Sequence, residues 1–275
     1  MDTDRPRRGR RRGPVILTDR DRRLLEFAAE NRLVLAGQVG ALLGISAEAA
    51  TARVRTLRSG GYLESEQRLT GEPRYHQISR EGLRAIGSSL PAPKRADLSA
   101  YRHDVGVGWL MLVARGGLFG SWREVTSERH MRSHDLRPDR EGEPFGIRLG
   151  GVGAGAGGRP RLHYPDLSMV TGTGHRVAFE LELTSKSRRR REDILTAYAT
   201  DRRIAAVVYL VDDPAVGRAL RESVRRLGIG WLVRVQAVQW GSEAGPVVAG
   251  RAARRALDRP RDAGREAASN SGRLP

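Results

Sequence analysis

Cysteine is absent from this 275-residue chain, which excludes disulfides, zinc ribbons and thiol catalysis. Aromatic residues make up only 5%, so any core rests mainly on aliphatic side chains. No apolar run approaches the roughly 18–20 residues of a membrane span. The basic N-terminus also lacks the apolar segment of a signal peptide. The sequence therefore predicts a cytoplasmic protein with no membrane partner. Lysine is nearly missing: of 49 Lys plus Arg, only Lys94 and Lys186 are lysines. Where a generic positive charge suffices, this chain uses Arg. A retained ammonium, with its different pKa and geometry, is thus informative. Lys94 lies between prolines and acidic Asp97, in a stretch that reads as a linker, whereas Lys186 follows Glu182 by four positions. The glycine run from Gly150 to Gly158 has no Gly-Lys-Ser/Thr after it, so it is not a phosphate loop.

Positive charge is what the chain has in excess. The formal net charge is +17, which points to a polyanionic partner, nucleic acid first of all. Residues 1–14 hold six Arg against two Asp, and residues 251–275 hold seven Arg against three acids. About half of the excess therefore belongs to the body between them. A hydrophobic content of 39% is enough for two compact cores.

Hydropathy patterning divides the chain. Residues 1–14 read as a disordered basic arm and 15–88 as a winged helix. Thr18 or Asp19 caps a first helix with Leu24, Leu25 and Ala28 on one face. A second carries Val39, Leu42 and Leu43 and stops at Gly44. Ser46 caps a third, with Ala50, Val54 and Leu57 inward, ended by Gly60-Gly61. Two runs around the turn Thr70-Gly71-Glu72-Pro73 read as the wing, and a short helix from Ser79 closes the unit. Residues 89–96 form a linker. A second domain, 97–241, opens with a helix whose stripe is Leu98, Tyr101, Val105, Trp109 and Leu112. Then come a strand near Trp122, a flexible insertion over 137–161, two strands flanking Gly172-Thr173-Gly174, a helix near 189–202, a strand at 205–211, a helix from Pro214, and a strand at 231–238. This order predicts a mixed α/β layer fold. Residues 242–275 carry no apolar period and read as a disordered tail.

The chemistry concentrates between Pro165 and Ser187. Asp166 begins one apolar run, and Glu180 and Glu182 lie inside the next. Strand parity points Val177, Phe179, Leu181 and Leu183 one way, and Ala178, Glu180, Glu182 and Thr184 the other. A hairpin joining the runs brings three carboxylates together, the donor set of a hard divalent cation. The alternative is a solvent-facing strand with two surface acids. On the third helix, Thr51, Arg55 and Arg58 fall opposite Val54 and Leu57, a pattern suited to reading a major groove. Arg68 and Arg74 flank the wing tip, suited to phosphate or minor-groove contact. Arg188, Arg189, Arg190 and Arg191 open the helix after the carboxylate hairpin, where they can hold a DNA backbone. His103, Asp104 and Glu128 are more distant candidates. His130 and His134 have i, i+4 spacing without a third ligand. Of the tyrosines a tyrosine relaxase would need, Tyr101, Tyr164 and Tyr198, only Tyr164 stands beside the motif.

Pro165-Asp166, thirteen residues, then Glu180-x-Glu182 resembles the PD-(D/E)XK nuclease motif. The order helix, three strands, helix, strand also resembles that superfamily's restriction-endonuclease-like core. With the N-terminal winged helix and the phrase Glu182-Leu183-Thr184-Ser185-Lys186-Ser187, residues 15–240 resemble the replication–relaxation family of actinobacterial mobile elements. The resemblance implies a winged helix-turn-helix followed by a restriction-endonuclease-like mixed-sheet domain. It implies double-stranded DNA as partner, Mg²⁺ or Mn²⁺ as cofactor, and nicking or cleavage in plasmid or element replication, relaxation or transfer. Homodimers and contacts with replication or transfer machinery fall within the same expectation. Carried over, Asp166 and Glu180 bind the metal, and the usual Lys position is Glu182, which some superfamily members also have. In the other register Glu182 is the metal acid, Thr184 takes the third position and Lys186 acts from further along. An extended strand separates Glu182 from Lys186 by roughly 13 Å, so that register needs a turn or a reach back. A non-catalytic winged-helix regulator or accessory factor with a degenerate nuclease fold is the alternative function.

Overall fold

A computed structural model describes residues 15–68, 70–150, 161–241 and 245–248. The expected basic arm, the glycine run beyond Gly150 and the tail from 249 lie outside the described residues.

Helix α1 (Asp19–Glu30) starts at a reciprocal cap. The Asp21 amide donates to Thr18 Oγ1 at 3.3 Å and the Thr18 amide to Asp21 Oδ2 at 2.7 Å. Strand β1 (Val34–Leu35) leads into α2 (Ala36–Leu43), which ends at Gly44 with φ 65°, a left-handed position suited to glycine. Helix α3 (Ala47–Ser59) is capped by Ser46 and buries Ala50, Val54 and Leu57, the three residues the sequence pattern selects. Strands β2 (Leu63–Glu66) and β3 (Tyr75–Ile78) pair antiparallel, and β1 adds to β3, giving the order β1-β3-β2. The third strand was not expected. Helix α4 (Arg80–Ala85), capped by Ser79, follows.

A short 3-10 turn (Leu98–Ala100) enters α5 (Tyr101–Arg115). Next come β4 (Glu124–Ser127), α6 (Glu128–Leu136), β5 (Ile147–Arg148), β6 (Leu162–His163), β7 (Leu167–Val170) and β8 (Arg176–Glu182). Helix α7 (Arg188–Thr200), β9 (Ile204–Val211), α8 (Pro214–Arg226), β10 (Val233–Gly241) and β11 (Gly245–Val248) complete the chain. The protein is mixed α/β. Strands β10-β9-β8-β7-β4 form one sheet that β11 extends at its edge. The β10–β9 and β9–β8 pairs are parallel, while β8–β7 and β7–β4 are antiparallel. Gly174, at φ 87°, closes the β7–β8 hairpin.

Further elements depart from the sequence reading. Helix α6 buries only Met131, so it shows no apolar stripe and escapes a periodicity search. Strand β11 falls where a patternless tail was expected, and its Val247 and Val248 pair with Gln239 and Val238. Strand β5 falls within the expected insertion and pairs with β6, just beyond its end.

The sheet is covered on both faces. Val177, Phe179 and Leu181 of β8 pack with Leu110, Met111 and Ala114 of α5, and this cluster runs on into α1, α2 and α3. Ala178 of β8 faces the opposite cluster, with Leu195 and Tyr198 of α7 and Leu220 of α8. Helix α5 is buried on a second side as well, where Tyr101, Val105 and Trp109 meet Leu33, Leu35 and Tyr75. The approach there is close. A Cβ on Gly108 would lie 2.6 Å from Gln38 Nε2, and that amide donates to the Val105 carbonyl at 2.8 Å.

Candidate functional site

Strand register assembles the acids. Leu167 of β7 pairs with Phe179 of β8, so Asp166, one residue earlier, comes beside Glu180. The Leu181 amide donates to Asp166 Oδ2 at 2.7 Å, which locks the carboxylate over the strand. Glu180 and Glu182 share a face of β8, opposite Tyr209 and Val211 of β9. Asp166, Glu180 and Glu182 are 8%, 6% and 6% exposed. A solvent-facing strand with two surface acids is therefore not what this chain builds.

Burying three carboxylates is costly without compensation. Each has its own partner. His103, in the first turn of α5, places Nε2 3.2 Å from Asp166 Oδ2. His163 Nε2 donates to Glu180 Oε1 at 2.6 Å, and the Tyr198 hydroxyl of α7 donates to the same oxygen. Lys186 Nζ donates to Glu182 Oε2. The chain leaves β8 after Glu182, bends at Thr184 and returns Lys186 to the site before α7 begins. This meets the turn that the second register requires. One carboxylate oxygen of each acid is thereby engaged, and the other has no hydrogen-bond donor among the described residues.

Protonation follows from these contacts. Burial alone would raise Asp166, but the His103 charge, the bonds from His103 and the Leu181 amide, and the Lys186 charge hold it below the usual carboxylate range. Burial pushes Glu182 up; Lys186 opposes the shift, and the neighbouring Glu180 and Asp166 add to it. The Asp166 charge pushes His103 up to about 11 against its own burial. Burial would lower His163, but the Glu180 charge and hydrogen bond win and raise it. Burial and the Glu180 charge push Tyr198 and Tyr209 well above the ordinary phenol range.

Other candidates lie near but turn elsewhere. Asp104 sits 3.8 Å from His103 Nδ1 and from Arg32 Nε. Glu128 pairs with Arg32 at 2.8 Å and Arg132 at 2.7 Å. Tyr164 stands under the Arg132 guanidinium, 4.4 Å from its ring centroid, and bonds Asp135 rather than the acids. The tyrosine whose hydroxyl bonds one of the three acids is Tyr198. His130 and His134 diverge to Glu30 and to Asp135. Sequence reasoning missed His163. Its signal was its place three residues before Asp166 in the same run, but a single His beside a strand has no pattern of its own.

The basic candidates fall into three groups. Thr51, Arg55, Arg58 and Arg74 line one concavity of about 600 Å³ between α3, the β2–β3 hairpin and α5. Arg68 lines a neighbouring cleft with Arg74 and is paired with Glu66 at 2.7 Å. Of the four arginines at the start of α7, Arg189 and Arg190 are exposed, and Arg188 pairs with Glu192 at 3.0 Å. Arg191 turns inward and donates to Ser223 Oγ at 2.9 Å and to the Lys186 carbonyl at 3.0 Å, fixing the segment that carries Lys186.

The three carboxylates supply hard oxygen donors of the type Mg²⁺ or Mn²⁺ takes, and each retains an oxygen with no donor among the described residues. As the side chains are placed, no group of three His, Asp or Glu among the described residues is arranged to hold a metal ion. The donor chemistry fits such a cation; the rotamers are set by His103, His163, Tyr198 and Lys186. No helix among the described residues is long and apolar enough to cross a membrane. In comparison with known proteins, the chain matches no family model, no curated protein and no solved structure.

Proposed function

We propose that this chain is a DNA-binding nuclease: an N-terminal winged helix engages DNA and a PD-(D/E)XK-like domain nicks or cleaves it. The observation that carries the reading is the convergence of buried Asp166, Glu180 and Glu182 at one end of the β7–β8 hairpin, with Lys186 folded back on Glu182. Carboxylates this deeply buried need a positive counterpart, and beyond structural ion pairs the usual reason to gather three of them is a cation. Asp166, Glu180 and Glu182 would hold Mg²⁺ or Mn²⁺, which supplies charge stabilisation at a phosphodiester and a more acidic bound water. Lys186, tied to Glu182, is placed to hold or move a proton at that carboxylate. His103 keeps Asp166 ionised and oriented. The partner is double-stranded DNA, and the setting replication, relaxation or transfer of a mobile element, in which a homodimer or contacts with the replication or transfer machinery would fit. A cytoplasmic location agrees with these partners.

A second reading has its own support. His103, His163 and Lys186 already balance the three acids from within the chain. A site neutralised in this way suits a regulator or accessory factor that keeps the nuclease-like fold as a scaffold. Nicking of supercoiled DNA carrying the gene's own flanking sequence, with Mg²⁺ or Mn²⁺, separates the two. The nuclease reading expects relaxed circles from the wild type and none from Asp166→Ala or Glu180→Ala. Binding without nicking in all three proteins supports the regulator.

A further inference from the structure

The concavity lined by Arg55, Arg58 and Arg74 has a feature that charge alone does not explain: an apolar lining. Buried Leu35, Val54 and Trp109 line it, and Trp109 comes from α5 rather than from the N-terminal unit. Its volume of about 600 Å³ falls in the range that encloses a ligand-sized group. A helix reading the major groove projects its side chains from a ridge into the groove. Here the arginines surround a hollow instead. No acid lines it, and none of the three arginines has a carboxylate partner among the described residues. On the wall, His76 Nδ1 lies 2.7 Å from Ser65 Oγ. Burial, with the charges of Arg74 and Arg58, pushes His76 down to about 4, so the ring offers neutral hydrogen bonding at ordinary pH.

Cationic side chains beside an apolar lining match a flat group carried on a phosphate. We propose that this hollow takes one unpaired nucleotide of single-stranded DNA, its phosphate against Arg55, Arg58 and Arg74 and its base against Leu35, Val54 and Trp109. This rests on the DNA-binding reading and refines it: the protein would hold a displaced or melted strand as well as duplex. Contacts of this kind tolerate any base, because every base has an apolar face.

Ala47 lines the hollow from the exposed first turn of α3. Ala47→Trp therefore puts bulk into the hollow, keeps every charge and replaces no buried residue. Thermal unfolding of the variant verifies that the fold is kept. Fluorescence anisotropy of the full chain would be measured with labelled oligothymidylate and with a blunt duplex of equal length, using thymidine 5′-monophosphate as competitor. The expected result is single-strand affinity lowered about tenfold by Ala47→Trp, and lowered by a clearly larger factor than duplex affinity; an equal fall in both affinities overturns the inference. Unchanged single-strand affinity in folded Ala47→Trp overturns the inference while leaving the DNA-binding reading standing. Displacement of the oligonucleotide by equimolar monophosphate overturns the strand assignment in favour of a free nucleotide. If the wild type binds neither DNA, the DNA-binding reading itself fails, and the inference with it.

Discussion

His103 Nε2 lies 3.2 Å from Asp166 Oδ2, so a residue of α5 and the acid just before β7 share one charge pair. The pair ties α5 to the β7–β8 hairpin at the point where the three acids meet.

This pair predicts a pH dependence of stability with a definite sign. His103 is raised from 6.5 to about 11, so its contribution is complete below about pH 6.5 and is lost as pH rises towards 11. Asp166 is lowered from 3.8, so its contribution is present above that value and is lost as pH falls below it. His103 keeps 37% of its side-chain surface, and solvent screening reduces the amplitude. Urea unfolding of wild type and His103→Gln at pH 6 and pH 10 tests this. The stability gap between the proteins should be larger at pH 6; a gap independent of pH would contradict the assignment.

Asp21 is fully buried, caps α1 through Thr18 and forms an ion pair with Arg53 of α3. Burial raises its carboxyl, but Arg53 and Thr18 together hold it below the usual range. Asp21→Ala removes the cap and strands the guanidinium. The expected loss is roughly 3 kcal/mol, or about 6–12 °C in Tm. A shift under about 2 °C in a calorimetric scan would show that the pair contributes little.

Tyr198 donates its buried hydroxyl to Glu180. Tyr198→Phe leaves that side of the carboxylate served by His163 alone and should cost about 1–3 kcal/mol. Urea titration measures the cost, and no loss would mean that His163 or water takes over the bond.

On duplex DNA, each of Arg55, Arg58 and Arg74 that neutralises a phosphate of its own contributes about 0.9 to the slope of log affinity against log salt. Single Ala substitutions should each lower the slope by about that amount. Arg191→Ala, whose guanidinium is occupied by Ser223 and the Lys186 carbonyl, should leave the slope unchanged. Equal effects in all four would mean a diffuse field rather than a site.

Local chemistry made much of the fold legible. Thr18, Ser46, Ser79 and Gly44 mark helix ends by side-chain capping or a left-handed φ, and those signals depend on a few neighbouring residues. Alternation along β8 separates Phe179 from Glu180 because pleating puts them on opposite faces. What failed was tertiary. Glu180 and Glu182 read equally well as surface acids, since their burial is imposed by α7 and β9, which no local pattern reveals. His103 was a remote candidate and His163 none at all, because each meets its acid only through strand pairing and the crossing of α5. Helix α6 was lost for lack of an apolar stripe, and β11 because pairing with β10, not hydropathy, defines it.

The most direct test of the central claim is whether the three acids hold one divalent cation. Mn²⁺ binding followed by electron paramagnetic resonance on wild type, Asp166→Ala and Glu180→Ala would decide it. The account predicts one tightly held Mn²⁺ per wild-type chain, lost in both variants and displaced by Mg²⁺. Identical Mn²⁺ binding in all three proteins, or none in any, would contradict it.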